Sequence, residues 1–114
     1  MFNCHCRDCQ RISGGPYTGV VYMPAKVVKI TKGMPHYYST PSEAMGGNKR
    51  GFCQECGSRL FGGITEEGHG ITASSLDDPS LFKPHAHIWT SEAQTWDHMD
   101  PNLPKFEKYA PSDG

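Results

Sequence analysis

Cys4-His5-Cys6-Arg7-Asp8-Cys9 places three thiols within six positions, and Cys53-Gln54-Glu55-Cys56-Gly57 places two more, the first of them 44 positions after Cys9. Together these account for all five cysteines of the 114-residue chain. Random burial would scatter them, and disulfides between such close neighbours would be badly strained. Thiolates gathered round a soft or borderline cation explain the grouping, and zinc is the expected ion.

The first cluster has the spacing of a tripod. Tetrahedral zinc with bonds of about 2.3 Å sets its sulfurs roughly 3.8 Å apart. In an extended segment residues two apart share a face, so Cys4 and Cys6 lie together and His5 points away. His5 therefore reads as a supporting residue rather than a ligand. A turn after Cys6 returns Cys9 to the same centre; residues 10–13 extend it, and Gly14-Gly15-Pro16 end it. Three thiolates with an open fourth position follow the pattern of catalytic zinc. Such a centre carries a formal charge of about -1 and is a weak Lewis acid. It suits an incoming thiol better than it suits polarising a carbonyl. Free thiols titrate near ~8.5, and metal coordination deprotonates them outright. Arg7 and Arg11 stand where they would offset the charge, but read as solvated side chains.

Cys53-x-x-Cys56-Gly57 has the form of a zinc knuckle, with the glycine free to take a positive φ. Phe52 before it and Leu60-Phe61 after it supply strand-like flanks. A redox dithiol is the rival reading, but that motif normally opens a helix in an α/β setting. The pair also needs two further ligands. His36, His69, His85 and His98 are the available imidazoles, although each reads first as a surface or strand histidine. A closed ribbon of Cys6, Cys9, Cys53 and Cys56, with Cys4 left over, is equally compatible with the spacing. That site would be structural only, a non-catalytic zinc-stabilised β module.

Composition narrows the remainder. The length predicts one domain over residues 1–114, burying roughly two thirds of its unfolded surface. Only 36% of residues are hydrophobic and the mean hydropathy is -0.58, so a metal clamp adds useful stability. Eleven Lys and Arg against twelve Asp and Glu give a net charge of -1, with no pull toward nucleic acid or an anionic membrane. No apolar run reaches the ~20 residues of a membrane helix, and no signal-peptide core opens the chain. An odd cysteine count without such a signal predicts a reducing, cytoplasmic setting. Thirteen glycines and nine prolines exclude long helices. Short β-prone runs fall at 20–23, 27–31, 36–39, 59–61 and 71–73, and 86–90 is strand-like, with Ser91 capping one short turn. Gly33, Gly46-Gly47, Gly62-Gly63, Gly68 and Asp77-Asp78-Pro79 read as turns. Pro101, Pro104 and Pro111 predict an irregular C-terminal tail packed over a sheet. The fold class expected is all-β: a small zinc-bearing domain of short antiparallel strands.

Cys4-His5-Cys6-Arg7-Asp8-Cys9-Gln10-Arg11-Ile12-Ser13-Gly14 resembles the signature of the glutathione-dependent formaldehyde-activating enzyme family, which includes centromere protein V. The resemblance runs on through Gly51-Phe52-Cys53-Gln54-Glu55-Cys56-Gly57-Ser58 and Leu76-Asp77-Asp78-Pro79. It continues in His87-Ile88-Trp89 and in Trp96 ahead of Leu103-Pro104-Lys105-Phe106-Glu107. It implies a zinc-bearing β fold shared with methionine sulfoxide reductase B. It also implies a catalytic-type zinc on Cys4, Cys6 and Cys9, and half of a structural four-cysteine site at Cys53 and Cys56. The other half belongs to an upstream Gly-x-Cys-x-Cys-Gly segment that this sequence does not contain. An N-terminally shortened form is therefore expected, with an exposed sheet edge that favours a homodimer. The implied activity is that of a carbon–sulfur lyase joining a small-molecule thiol such as glutathione to an aldehyde such as formaldehyde. Tyr17, Tyr22 and Trp89 are candidate pocket walls, or else ordinary core and flanking aromatics. A methionine sulfoxide reductase activity would need a reactive cysteine outside the clusters, and the sequence has none.

Overall fold

Most of the regular structure in the computed structural model is β, and the model describes residues 1–41 and 48–110. In chain order the elements are β1 (Phe2–Cys4), α1 (Arg7–Ser13), β2 (Thr18–Pro24), β3 (His36–Thr40), β4 (Asn48–Phe52), β5 (Arg59–Gly62), β6 (Gly68–Thr72) and β7 (His87–Ile88). Single 3-10 turns stand at Ala25–Val27, Ala73–Ser75, Pro79–Leu81 and Thr90–Glu92. The chain divides into two compact units, Met1–Val20 with Ser80–Gly114, and Val21–Pro79.

In the first unit β1 is the middle strand. It pairs antiparallel with the start of β2, setting Phe2 opposite Val20 and Cys4 opposite Thr18. On its other side it pairs with β7, setting Asn3 beside His87 and Cys4 beside Ile88. That second pairing is parallel, which corrects the expectation of antiparallel strands only. Parallel neighbours need a long connection, and more than eighty residues separate β1 from β7. Alternation then sorts the side chains by face. Phe2, Cys4, Val20 and Ile88 point one way, into a core that also holds Cys9 and Trp89, with Cys6 and Phe106 packed against it. Asn3, His5 and His87 point the other way and are buried as well.

Helix α1 starts where the extended chain turns at Cys6 (φ -64°, ψ 157°), with Asp8 in the first turn where a carboxylate complements the helix dipole. Gly14 ends it in the left-handed region (φ 71°), and its N–H returns to the Gln10 carbonyl at 2.9 Å. The turn expected over residues 10–13 is thus the second half of a real helix. Strand β7 is shorter than the strand-like run at 86–90, because Trp89 takes φ 56° and a 3-10 turn follows. The tail is irregular, as expected, but it lies along β7. His87 N–H donates to Pro104 O and Phe106 N–H donates to His87 O, each at 2.9 Å.

The second unit contains an antiparallel meander. β3 pairs with β4 from His36–Phe52 to Thr40–Asn48, β4 pairs with β5, and β5 with β6. Its glycines are explained by close approach. A Cβ on Gly51 would lie 3.0 Å from the Tyr37 ring and 3.1 Å from Phe61, and the Tyr22 ring occupies the place a Cβ on Gly68 would take. Gly68, expected at a turn, therefore opens β6 instead. The run 27–31 is not a strand: Val27 and Ile30 are exposed and no strand pairs with them among the described residues. Conversely β4, rich in Lys, Arg and Gly, carries no β-prone signature. The turn expected at Gly46-Gly47 lies outside the described residues. No helix among the described residues is long and apolar enough to cross a membrane.

Candidate metal centre

Strand β1 delivers Cys4, the bend after it delivers Cys6, and the first turn of α1 delivers Cys9. Their sulfur atoms all lie within 4.8 Å of one another. Among the described residues this is the one gathering of three or more histidine, cysteine or acidic ligand atoms. Cys4 and Cys9 are buried, Cys6 is half-buried, and all three are free thiols. The Cys9 N–H donates to Cys6 Sγ at 3.4 Å, and Thr18 Oγ1 donates to the Cys9 carbonyl at 2.8 Å. Three soft sulfurs at this separation need to close by about 1 Å at most to reach tetrahedral zinc–thiolate spacing. The residues fit a thiophilic cation.

Electrostatics point the same way. Hydrogen bonds with Cys6 and then Cys9 hold the Cys4 thiol far above its usual range; burial and the adjacent sulfur charges add to this. A lone thiolate here would face two other sulfurs in an apolar pocket. A cation among the three removes that penalty.

His5 stands between two of the sulfurs and is wholly buried. Its N–H donates to the Ile88 carbonyl at 2.9 Å, and its own carbonyl accepts from Gln10 Nε2 at 2.7 Å. On the ring, Nδ1 lies 2.6 Å from Asp97 Oδ2 and Nε2 lies 2.8 Å from His87 Nδ1. Burial, followed by the charges of His5 and Lys105, pushes the His87 imidazole below its ordinary pKa. Gln10 also reaches the Glu92 carbonyl at 2.9 Å, and Glu92 Oε1 accepts from the Arg7 N–H at 2.8 Å.

The expectation that His5 faces away from the sulfurs agrees with this geometry. Glu92 and Asp97 carried no sequence signal, since the contacts that tie them to Arg7, Gln10 and His5 join positions more than eighty apart. His87 did carry one: a histidine inside a short apolar strand must be satisfied by something buried.

The other candidates sit elsewhere. Cys53 is half-buried and Cys56 exposed, in a tight loop where Gly57 (φ 76°) donates to the Cys53 carbonyl at 2.7 Å. Cys56 Sγ lies 3.1 Å from Ser58 Oγ, and that contact holds its thiol below the ordinary value. Within this unit neither His36, which packs on Phe52, nor His69, which meets Phe61 edge-on, joins the pair in a gathering of three. His85 and His98 are exposed. Arg7 donates to Gln10 Oε1 and Arg11 to Asp8, so neither arginine is simply solvated. Trp89 is buried in the cluster with Cys4 and Cys9, Tyr17 packs on the His5 ring at 5.2 Å, and Tyr22 lies over Gly68 in the second unit.

No curated protein matches the chain. The family model of the glutathione-dependent formaldehyde-activating enzyme matches residues 1–92, which contain both cysteine clusters and the strands that carry them. The sulfur tripod and this match agree, and the chain belongs to the glutathione-dependent formaldehyde-activating enzyme family.

Proposed function

We propose that the protein is a zinc-dependent carbon–sulfur lyase that adds a glutathione-like thiol to a small aldehyde such as formaldehyde. The observation that carries this is the gathering of three sulfurs outside any disulfide, within 4.8 Å of one another, at the end of β1. Cys4, Cys6 and Cys9 would hold the ion. Bound there, zinc supplies the positive charge that keeps an incoming thiol deprotonated near neutral pH. In the net reaction a sulfur–carbon bond forms, the carbonyl π pair moves to oxygen, and the thiol proton ends on that oxygen. Trp89, Ile88 and Phe106 keep water from the buried side of the sulfurs, which strengthens every charge interaction there. Tyr17 is too closely engaged with His5 to serve as a free wall, and Tyr22 belongs to the other unit.

The closed-ribbon alternative leaves Cys4 out, whereas Cys4 stands inside the cluster; the tripod is therefore preferred. We assign Cys53 and Cys56 to a second, structural metal half-site, supported by their glycine-closed loop. The same proposal includes kinship of fold with methionine sulfoxide reductase B, a cytoplasmic setting and a homodimer.

The test is exchange of isotopically labelled formaldehyde between its hydrate and the glutathione adduct, followed by magnetisation-transfer NMR. Zinc-loaded protein should accelerate exchange well above buffer, and Cys6→Ser should return it to the buffer rate. Equal rates with and without the zinc-loaded protein would refute the proposal.

A further inference from the structure

Among the described residues the largest fully buried side chain is an imidazole, that of His5. It lies between Cys4 and Cys6 in sequence, yet its side chain points to the other face of the chain from the sulfurs. Its backbone N–H, backbone carbonyl and both ring nitrogens all have partners, on Ile88, Gln10, Asp97 and His87 respectively. The His5 and Asp97 side chains are 0% and 1% exposed, so these bonds do not compete with water.

From this we infer that Asp97, His5 and His87 form a buried hydrogen-bonded chain that fixes the Cys4–Cys6 segment, making His5 and Asp97 positioning residues for the sulfur tripod. A carboxylate can only accept, so His5 Nδ1–H donates to Asp97. In the neutral ring Nε2 then accepts from His87 Nδ1–H. The backbone on either side of His5 leads directly to a thiol, so a shift of the chain at His5 carries Cys4 and Cys6 with it. Holding His5 through its ring, N–H and carbonyl therefore limits how far the two sulfurs can move.

The two ends of the chain differ in charge. Asp97 meets His5 Nδ1 through a carboxylate oxygen at 2.6 Å, whereas His87 meets Nε2 through an imidazole nitrogen at 2.8 Å. A bond to a charged acceptor is the stronger kind. Loss of Asp97 should therefore matter more than loss of His87.

The inference rests on the tripod as the metal site, and cobalt tests the two separately. Cobalt(II) is titrated into wild-type protein, Asp97→Asn, His5→Gln and His87→Gln. The readouts are the sulfur-to-cobalt charge-transfer band, the affinity by chelator competition, and the melting of each metal-free protein. Asp97→Asn and His5→Gln should weaken cobalt binding by about 10–100-fold and alter the band, as loss of an orienting partner typically does. His87→Gln should have a smaller effect, and metal-free melting should change far less than affinity. A wild-type protein without the band would overturn the tripod and the positioning role together. A normal wild-type band, with affinities of Asp97→Asn and His5→Gln within twofold of it, would overturn the positioning role alone. If both variants lost their fold while the metal-free wild type kept its own, the chain would be a general core element, and the positioning role would fall.

Discussion

Gln10 offers a quantitative test of how α1 is tied to the metal segment. Its buried amide donates to the carbonyls of His5 and Glu92 and accepts from Arg7 and Gln94. Gln10→Met keeps the volume, so the cavity contribution is small. Two carbonyls then lose a donor in a buried setting, at about 1–3 kcal/mol each, while Arg7 is exposed and finds water instead. The sum is about 2–6 kcal/mol. With an unfolding entropy of about 2.1 cal/mol/K per residue, the 114-residue chain loses roughly 4 °C of Tm per kcal/mol. Metal-free Gln10→Met should therefore melt about 8–24 °C below wild type in a circular-dichroism scan. The control Arg7→Ala, which loses mainly exposed contacts, should fall by about 4 °C or less. A Gln10→Met midpoint within about 2 °C of wild type would refute this account of the helix attachment.

Four further outcomes are expected. Cys4→Ser should cut zinc affinity by at least about 100-fold in a chelator competition, since one of three sulfurs is lost; unchanged stoichiometry and affinity would remove Cys4 from the site. In metal-free protein the raised Cys4 pKa keeps a proton that the unfolded chain releases. Stability is therefore full below the thiol's ordinary value of 9.0 and falls as pH rises above it, by up to about 1.4 kcal/mol per unit. Zinc affinity should move oppositely and rise with pH, because binding expels ligand protons; denaturant midpoints measured with zinc or with chelator between pH 7 and roughly 10 would reveal matching slopes if this is wrong. His87, with its pKa lowered, stabilises the fold fully above its ordinary value of 6.5 and progressively less as pH drops below that, so an acid titration of stability that stays flat there would exclude it. Gly14→Ala should cost about 1 kcal/mol through its positive φ although its Cβ would meet nothing, whereas Gly15→Ala, whose Cβ would make only an ordinary contact with Ser13 Oγ at 3.9 Å, should leave the melting point unchanged.

The sequence made the tripod legible because its geometry is local. Alternation along Cys4-His5-Cys6 and a turn to Cys9 need no knowledge of the rest of the chain. The helix stop at Gly14 and the tight turn at Gly57 were legible for the same reason, each resting on one residue's conformational freedom. Pairing partners were not. The parallel neighbour of β1 lies more than eighty residues away, and nothing in His87-Ile88 announces its direction. Strand β4 was missed because its side chains do not look β-prone; Gly51 is there to admit Tyr37 and Phe61. The run at 27–31 misled in the other direction, since β-branched residues favour a strand only when one stands beside them. Asp97 could be recognised only after folding set it against His5.

The parallel partnership of β1 and β7 also governs timing during synthesis. The thiols emerge first, but Ile88, Glu92 and Asp97, which hold their segment, emerge more than eighty residues later. At ribosomal rates of about 5–20 residues per second that interval lasts roughly 4–16 s, during which the nascent thiols lack their native scaffold. Secure metal capture therefore waits until residues 88–97 have been made, and a chain stalled before residue 87 would leave those thiols open to oxidants.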